Sequence, residues 1–455
     1  MKIQFRAIAL LVFSSFIFSQ AQAAEWLVKL SGRVPAAQVQ QYLRQSGMNV
    51  MRVEDLRFNS WYLVHTATES LTRQEGAAVG KLPGTRWVEP NKRIRPYGNR
   101  NFQTAPRSEI APRDPAFKRV VTGNGPDPMI GKQWMIQDTG LDRVAPQLRG
   151  DKRVIVAVID TGVDYNHPDL NANIWMNPGE AGALANNGID DDGNGYVDDF
   201  MGWDFADNDN LPWDRTSVFG NPGHGTHCAG VIGAQADNGV GIRGVAPNIT
   251  IMPLRFISEK GEGTTADAVK AMKYAIEMGA WITSNSWGGP EEEGDPDSQI
   301  LREVFADAAA RGRLTVVAAG NDRMDVDRNP MKATPASYNL PNMLTVAASN
   351  PRGDLAGFSN YGAKLVHLAA PGTAILSTVT GDRYMNLDGT SMATPVVAGA
   401  AALFWSMNPQ MKADRVRNAI LSTVTPMPSL RGSVLTGGKL NIEALMREST
   451  ERVRR

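Results

Sequence analysis

Three uninterrupted apolar runs, Val154-Ile155-Val156-Ala157-Val158-Ile159, Leu314-Thr315-Val316-Val317-Ala318-Ala319 and Met343-Leu344-Thr345-Val346-Ala347-Ala348, constrain this chain more than any other feature. A strand with one wet face alternates apolar and polar residues. A run that is apolar almost throughout fits a strand covered on both sides, as in a parallel sheet with helices laid over it. Helical candidates, Thr265 to Met278 and Ser298 to Arg311, lie between the runs. The fold class expected is α/β: three layers, a mostly parallel central sheet flanked by helices. Such sheets carry their sites just beyond the carboxyl ends of strands.

Ahead of the sheet the pattern is shorter and mixed. Trp26 to Leu30, Val50 to Val53, Trp61 to Val64 and Thr85 to Val88 read as strands, and Pro35 to Ser46 and Leu71 to Val79 as helices. Together they describe a small α+β domain. The Pro-, Arg- and Asn-rich passage from Arg95 to Pro128 has no sustained period and reads as an exposed linker, open to cutting. Met1 to Arg6 carries two positive charges, Ala7 to Phe18 is apolar, and Ala21-Gln22-Ala23 is a small-x-small cleavage pattern. This predicts a secretory signal peptide over 1–23. Its apolar run is shorter than the roughly 20 residues of a membrane span, so none is expected after its removal. The remaining divisions are 24–110 for the small module and linker, 111–447 for the main domain and 448–455 for a charged, solvated tail. Zero formal net charge over 455 residues argues against nucleic acid as a partner. The expected location is secreted, extracellular or periplasmic, and the single Cys228 rules out an internal disulfide.

The first apolar run ends in Asp160-Thr161-Gly162, an expensive place for a carboxylate unless something hydrogen-bonds it. Gly223-His224-Gly225-Thr226-His227-Cys228-Ala229-Gly230 follows, its glycines and small residues permitting close approach of other segments. Gly389-Thr390-Ser391-Met392-Ala393-Thr394-Pro395 then opens an Ala-rich helix, whose N-terminal N–H groups and dipole favour negative charge beside the serine. Singly, Asp160 reads as a turn residue and Ser391 as a helix cap. Jointly they supply orienter, base and nucleophile for acyl transfer, in the chain order known from subtilisin.

With Ser286-Trp287-Gly288-Gly289 and Ala319-Gly320-Asn321 added, these segments resemble the subtilisin-like serine proteases, or subtilases, over roughly Asp127 to Leu445. The motifs come nearest to thermitase-like secreted members with an N-terminal inhibitory propeptide. The resemblance implies a serine endopeptidase with Asp160, His224 and Ser391 as its triad. Asn321 would be the side-chain donor to the oxyanion, paired with the N–H of Ser391. Ser286, Trp287, Gly288, Ala319 and Gly320 would wall the pocket for the residue before the cut, with Trp287 serving equally well as a packing residue. Substrates would be proteins or peptides, bound as an added strand with broad specificity.

The module at 24–110 would be an intramolecular inhibitor, removed by the enzyme itself somewhere in Arg95 to Asp127, and the enzyme a monomer. By resemblance structural Ca2+ would sit at Asp204, Asp207 and Asp209, three carboxylates within six residues that repel one another unneutralised. A second Ca2+ would use Asp127, Asp169 and Asn238. Asp190, Asp192 and Asn194 also resemble the start of an EF-hand loop that lacks its closing Glu.

Two other readings of the same residues stand beside this one. His224, His227 and Cys228 contain zinc-type donors, although the Glu of a His-Glu-x-x-His motif is missing and His227 and Cys228 also read as structural. A calcium-stabilised secreted binding protein could keep the fold without the activity. His367, where many subtilases carry an acid, is expected to face the surface.

Overall fold

The apolar runs become strands of one sheet, those at 314–319 and 343–348 side by side and that at 154–159 one strand away. The computed structural model describes residues 24–67, 80, 84–97, 116–215, 221–289, 297–329 and 333–453. The signal peptide and the helical candidate at 71–79 lie outside these. The chain divides into two compact units, Met1–Pro90 and Asn91–Arg455.

In the first unit β1 (Glu25–Leu30), β2 (Val50–Asp55), β3 (Trp61–Thr66) and β4 (Thr85–Pro90) form a sheet in the order β2-β3-β1-β4. Helix α1 (Ala36–Gln45) buries Val39 and Leu43 in one apolar cluster with Val28, Val53 and Val64. Alternation along the strands and the helical spacing of Val39 and Leu43 create that cluster.

The second unit opens with β5 (Arg93–Pro96) and the short helix α2 (Trp134–Asp138). Its main sheet contains β6 (Ile155–Asp160), β7 (Trp203–Asp204), β8 (Thr250–Arg255), β10 (Ile282–Asn285), β12 (Leu314–Ala318), β13 (Met343–Ser349), β14 (Leu368–Pro371), β17 (Thr425–Pro426) and β18 (Gly438–Lys439). Their order is β17-β18-β14-β13-β12-β10-β6-β8-β7, and every pair is parallel except β17 with β18. Short β9 (Gly263–Thr264) and β11 (Trp287–Gly288) flank β5 in a separate three-stranded sheet. A hairpin, β15 (Ile375–Val379) and β16 (Arg383–Leu387), stands apart.

Helices α3 (His224–Gly233), α4 (Thr265–Glu277), α5 (Gln299–Ala310), α6 (Thr390–Met407), α7 (Ala413–Ser422) and α8 (Ile442–Val453) complete the unit. Residues 390–405 of α6 are all buried, which is why this helix is apolar all round. Although long and apolar enough to cross a membrane, it is 89% buried within the protein and forms the core. Alternate strand residues Val156, Val158, Val316, Val346 and Leu368 join α6 in one cluster, while Ala157, Ile159 and Val317 between them are equally buried on the other side. The continuous apolar runs follow from this two-sided burial. Towards the other end of the chain α8 continues through Val453, so residues 448–453 of the expected charged tail are helical.

The chain passes from β6 to β8 on one side and then resumes at β10 on the other. β6 is therefore the point where strand order reverses, and the crevice beyond its carboxyl end is where an open α/β sheet binds ligands. Asp160 is its last residue.

Candidate active site

Asp160 is fully buried, and its Oδ1 accepts from the N–H of Thr161 and from His224 Nδ1, both at 2.7 Å. His224 begins α3, where Asn221 Oδ1 accepts from the N–H groups of Gly223 and His224 at 3.0 and 2.7 Å. A Cβ on Gly225 would stand 2.1 Å from the carbonyl oxygen of Gly162, so only glycine lets α3 approach the end of β6 this closely. That approach puts the imidazole against the carboxylate.

Asp214 lies behind the pair and was not legible as a site residue in the sequence. Its Oδ2 accepts from Thr226 N–H and Oγ1 at 2.8 and 2.7 Å, and its Oδ1 from Thr161 Oγ1 at 2.9 Å. Burial, together with the charge of Asp160, pushes its carboxyl up to about 7. At His224 burial works against the imidazolium, but the charge and hydrogen bond of Asp160 and the charge of Asp214 outweigh it, leaving the pKa above its ordinary 6.5. Only the neutral imidazole can take a proton, so kcat/KM is expected to fall with acidity with a midpoint above 6.5. Asp214→Asn removes a negative charge that favours the imidazolium and should move that midpoint to lower pH. A pH–rate profile with an unmoved acid limb would exclude this role for Asp214.

Ser391 is the second residue of α6 and is fully buried. Its hydroxyl donates to the carbonyl oxygen of Tyr97, in a very short contact, and to that of Ser286 at 3.0 Å. Among the described residues His224 Nε2 is buried without a hydrogen-bond partner, so the serine proton points at the carbonyls rather than at the base. Pro395 has no N–H to return to the carbonyl of Ser391 four residues earlier. That carbonyl instead accepts from Ser286 Oγ at 2.9 Å and Cys228 Sγ at 3.5 Å, tying the nucleophile's backbone to two neighbouring segments.

Asn321 follows β12, and its Nδ2 donates to the same Tyr97 oxygen at 3.0 Å. Its Oδ1 accepts from Thr390 N–H at 3.0 Å and Oγ1 at 2.9 Å, which fixes the amide with its NH2 toward the carbonyl. Thr390 is thus an orienting residue that the sequence reading passed over, although it stands next to Ser391 in the motif. No bond from the N–H of Ser391 to Tyr97 O forms among the described residues, so Ser391 Oγ and Asn321 Nδ2 are the donors to that oxygen.

Of the pocket residues named from sequence, Gly288 and Gly320 come close to the Tyr97 side chain and Ser286 meets its backbone. Tyr97 N–H donates to Ser286 O at 3.1 Å, and Pro96 and Arg95 pair with Trp287 and Gly288. A Cβ on Gly288 would fall 2.3 Å from the Tyr97 hydroxyl, and one on Gly320 would fall 3.4 Å from its ring, so both glycines make room for an aromatic side chain. Ala319 is buried beside Gly320, its carbonyl accepting from Asn360 Nδ2 at 2.9 Å. Trp287 contributes backbone to the strand while its ring packs against Phe256 and Phe305. Burial, with the nearby Asp322 carboxylate, holds the Tyr97 phenol well above its usual range.

His227 donates Nε2–H to the carbonyls of Ile375 and Met385 at 2.9 and 3.1 Å, pinning the β15–β16 hairpin to α3. Burial, and the adjacent His224, lower its pKa to about 3, so it stays neutral and structural. Asp160, His224 and Cys228 do bring donor atoms within 4.8 Å of one another. However, burial and nearby carboxylates raise the Cys228 thiol well above its usual value, disfavouring the thiolate zinc requires. His367 is buried, not surface-facing: its Nδ1 accepts from Thr345 N–H at 2.8 Å, and burial lowers its pKa to about 3.

The acidic residues fall into three groups. Asp127, Asp169 and Asn238 converge. Asn238 donates its N–H to Asp127 Oδ1 at 3.2 Å and Nδ2 to Asp169 Oδ1 at 2.8 Å. Among the described residues Asp127 Oδ2 is buried with no partner, and burial raises both carboxyls, Asp169 to about 6. A hard cation fits that orphaned oxygen.

Asp204, Asp207 and Asp209 do not follow this pattern. Arg255, fully buried, pairs through Nη1 with Asp204 and at 2.7 Å with Asp207, and Arg215 adds a second contact to Asp207. Asp209 accepts from Leu211 N–H through Oδ1 at 3.0 Å. Guanidinium groups supply part of the positive charge here, with Arg255 shared among Asp204, Asp207 and Glu259.

The EF-hand-like loop instead meets an acid from an earlier segment. Glu180, Asp192 and Asp199 bring donor atoms within 4.8 Å of one another, and among the described residues Glu180 Oε2 is buried without a partner. Glu180 lies outside the loop motif, so spacing within that motif could not reveal it.

An α/β sheet presenting a carboxylate, an imidazole and a serine hydroxyl at its strand-order reversal defines a hydrolase-type acyl-transfer site. The Subtilase family profile matches residues 151–442, and the chain belongs to that family. It is 35% identical over 311 residues to the thermophilic serine proteinase of Bacillus sp. (strain AK1), covering 68% of this chain and 66% of that protein. Thermitase of Thermoactinomyces vulgaris is 35% identical over 286 residues, covering 63% of this chain and 86% of thermitase. The chain thus spans just under two thirds of the Bacillus relative. The crystal structure of fervidolysin from Fervidobacterium pennivorans, described as a keratinolytic enzyme related to subtilisin, shares the fold. Its TM-score is 0.67 at 24% identity, over 94% of this chain and 61% of fervidolysin.

Proposed function

We propose that the protein is a secreted serine endopeptidase that matures by cutting its own chain between Tyr97 and Gly98. The observation that carries this reading is the Tyr97 carbonyl, held by the hydroxyl of Ser391 and by Asn321 Nδ2. In catalysis Ser391 Oγ attacks the carbonyl carbon and its proton passes to His224 Nε2. Asn321 Nδ2 stabilises the oxygen as it becomes negative. His224 returns the proton to the departing amine, leaving an acyl-enzyme that water hydrolyses. Asp160, bonded to Nδ1, keeps Nε2 free to accept and stabilises the imidazolium. The short contact of Ser391 with Tyr97 must open for the hydroxyl to meet the base. Until then the segment Arg93–Tyr97 occupies the cleft, which supports a latent form.

A serine-phosphonylating reagent should block casein hydrolysis by the mature protein and add its mass to the peptide containing Ser391. Activity persisting after complete labelling would overturn the reading. Export follows in the same proposal from the leader at 1–23.

The reading includes a structural Ca2+ held by Asp127, Asp169 and Asn238, and a second between Glu180, Asp192 and Asp199, each neutralising carboxylates that burial otherwise makes costly. An ion present at about 1,000 times its Kd stabilises by about 4 kcal/mol. At roughly 2–4 °C per kcal/mol, removal of both ions by chelation should lower Tm by about 16–32 °C. Asp127→Asn should shrink that gap. Equal Tm with calcium and with chelator would contradict both sites.

A further inference from the structure

We propose that Glu262 is a specificity residue that selects substrates carrying basic side chains three and five residues before the cut, counting the attacked residue as the first. The inference rests on reading Arg93–Tyr97 as a strand bound as substrate. In that strand Tyr97 is the first residue, Arg95 the third and Arg93 the fifth. β5 is antiparallel to β11 on one side and to β9 on the other, with Gly288 opposite Arg95 and Thr264 opposite Arg93. Side chains two apart on an extended strand share a face, so one carboxylate can meet both arginines. Glu262 Oε1 lies 2.5 Å from Arg95 Nη2 and Oε2 lies 2.5 Å from Arg93 Nη1. Ile94 between them is buried.

Glu262 is held in place from behind. Its carbonyl accepts from Ser258 N–H and Oγ at 3.0 and 2.9 Å, closing a tight turn immediately before β9. The next residue must be glycine, since a Cβ on Gly263 would stand 2.4 Å from the carbonyl oxygen of Phe256. Glu259, the other acid of this turn, bonds Arg255 at 3.0 Å and so does not take its place. Glu262 is about one quarter exposed and the arginines more than half, so solvent screens both pairs. They bias selection rather than impose it, and they act away from the glycine-walled pocket that accepts Tyr97.

The test uses the mature enzyme, titrated by phosphonylation so that rates refer to intact sites, on acetyl-Arg-Ile-Arg-Pro-Tyr-aminomethylcoumarin. The comparison peptide carries citrulline, a neutral near-isostere, in place of both arginines. The arginine peptide should have kcat/KM about tenfold higher at low salt, and the ratio should shrink in roughly 0.5 M salt. Glu262→Gln should bring the ratio close to one, and Glu262→Arg should reverse it in favour of a peptide with glutamate at both positions. Cleavage of both peptides with no preference, or a preference that survives Glu262→Gln, overturns the assignment of Glu262 while leaving the peptidase reading standing. Failure of the wild-type enzyme to cleave either peptide overturns the peptidase reading, and this proposal with it.

Discussion

Ser391→Ala is expected to leave the chain uncut after Tyr97 and to lower casein hydrolysis by about a millionfold, the order found in subtilisin for removal of its serine. The effect is largest here because the structure brings no other nucleophile to the Tyr97 carbonyl among the described residues: its donors are Ser391 Oγ and Asn321 Nδ2, and an amide does not attack. The replacement should be mild for the fold. Ser391 Oγ donates only to two carbonyls, while the ties of Ser286 and Cys228 go to the backbone oxygen of residue 391 and survive. Circular dichroism and Tm close to wild type, with processing and hydrolysis both lost, would separate chemistry from folding. Normal processing would refute the role of the hydroxyl.

Asp160→Asn should reduce kcat/KM by about 10,000-fold, a magnitude taken over from the trypsin-type triad. Asp160 Oδ1 receives both Thr161 N–H and His224 Nδ1–H, whereas Oδ2 is buried without a partner among the described residues. An asparagine therefore has two poor choices. With its oxygen at the Oδ1 position it keeps the tautomer, but buries an NH2 without an acceptor and loses the charge that stabilises the imidazolium. Flipped, it donates to Nδ1, forces the proton onto Nε2 and leaves no base facing Ser391. Either way the loss should appear in kcat, since substrate contacts at β9 and β11 are unchanged. A variant within tenfold of wild type would contradict the assigned role.

The sheet was legible because burial on both faces leaves no alternation to misread: Leu314–Ala318 and Met343–Ser349 fall within a residue of the apolar runs. Ser298, the first residue of the helical candidate, caps α5 by accepting from Leu301 N–H at 3.4 Å. Asp160 meets His224, and Ser391 and Asn321 meet at the Tyr97 carbonyl, because each lies near the end of a sheet strand or the start of a helix. Features that depend on a distant partner were not legible. Arg95 and Pro96 read as linker because nothing in their own pattern marks a strand; β11 supplies the pairing. Arg255 neutralises Asp204 from a neighbouring strand, and Glu180 reaches Asp192 from outside the loop motif. His367 looked exposable because a lone polar residue before a strand gives no sign that Thr345 will meet it.

The N-terminal residue of the mature protein, determined by mass spectrometry of its terminal peptide, tests the placement of Tyr97 in the cleft most directly. A chain beginning at Gly98 is the expected result. A mature chain beginning at any other residue, formed by the protein's own activity, would mean that Tyr97 is not where the serine acts.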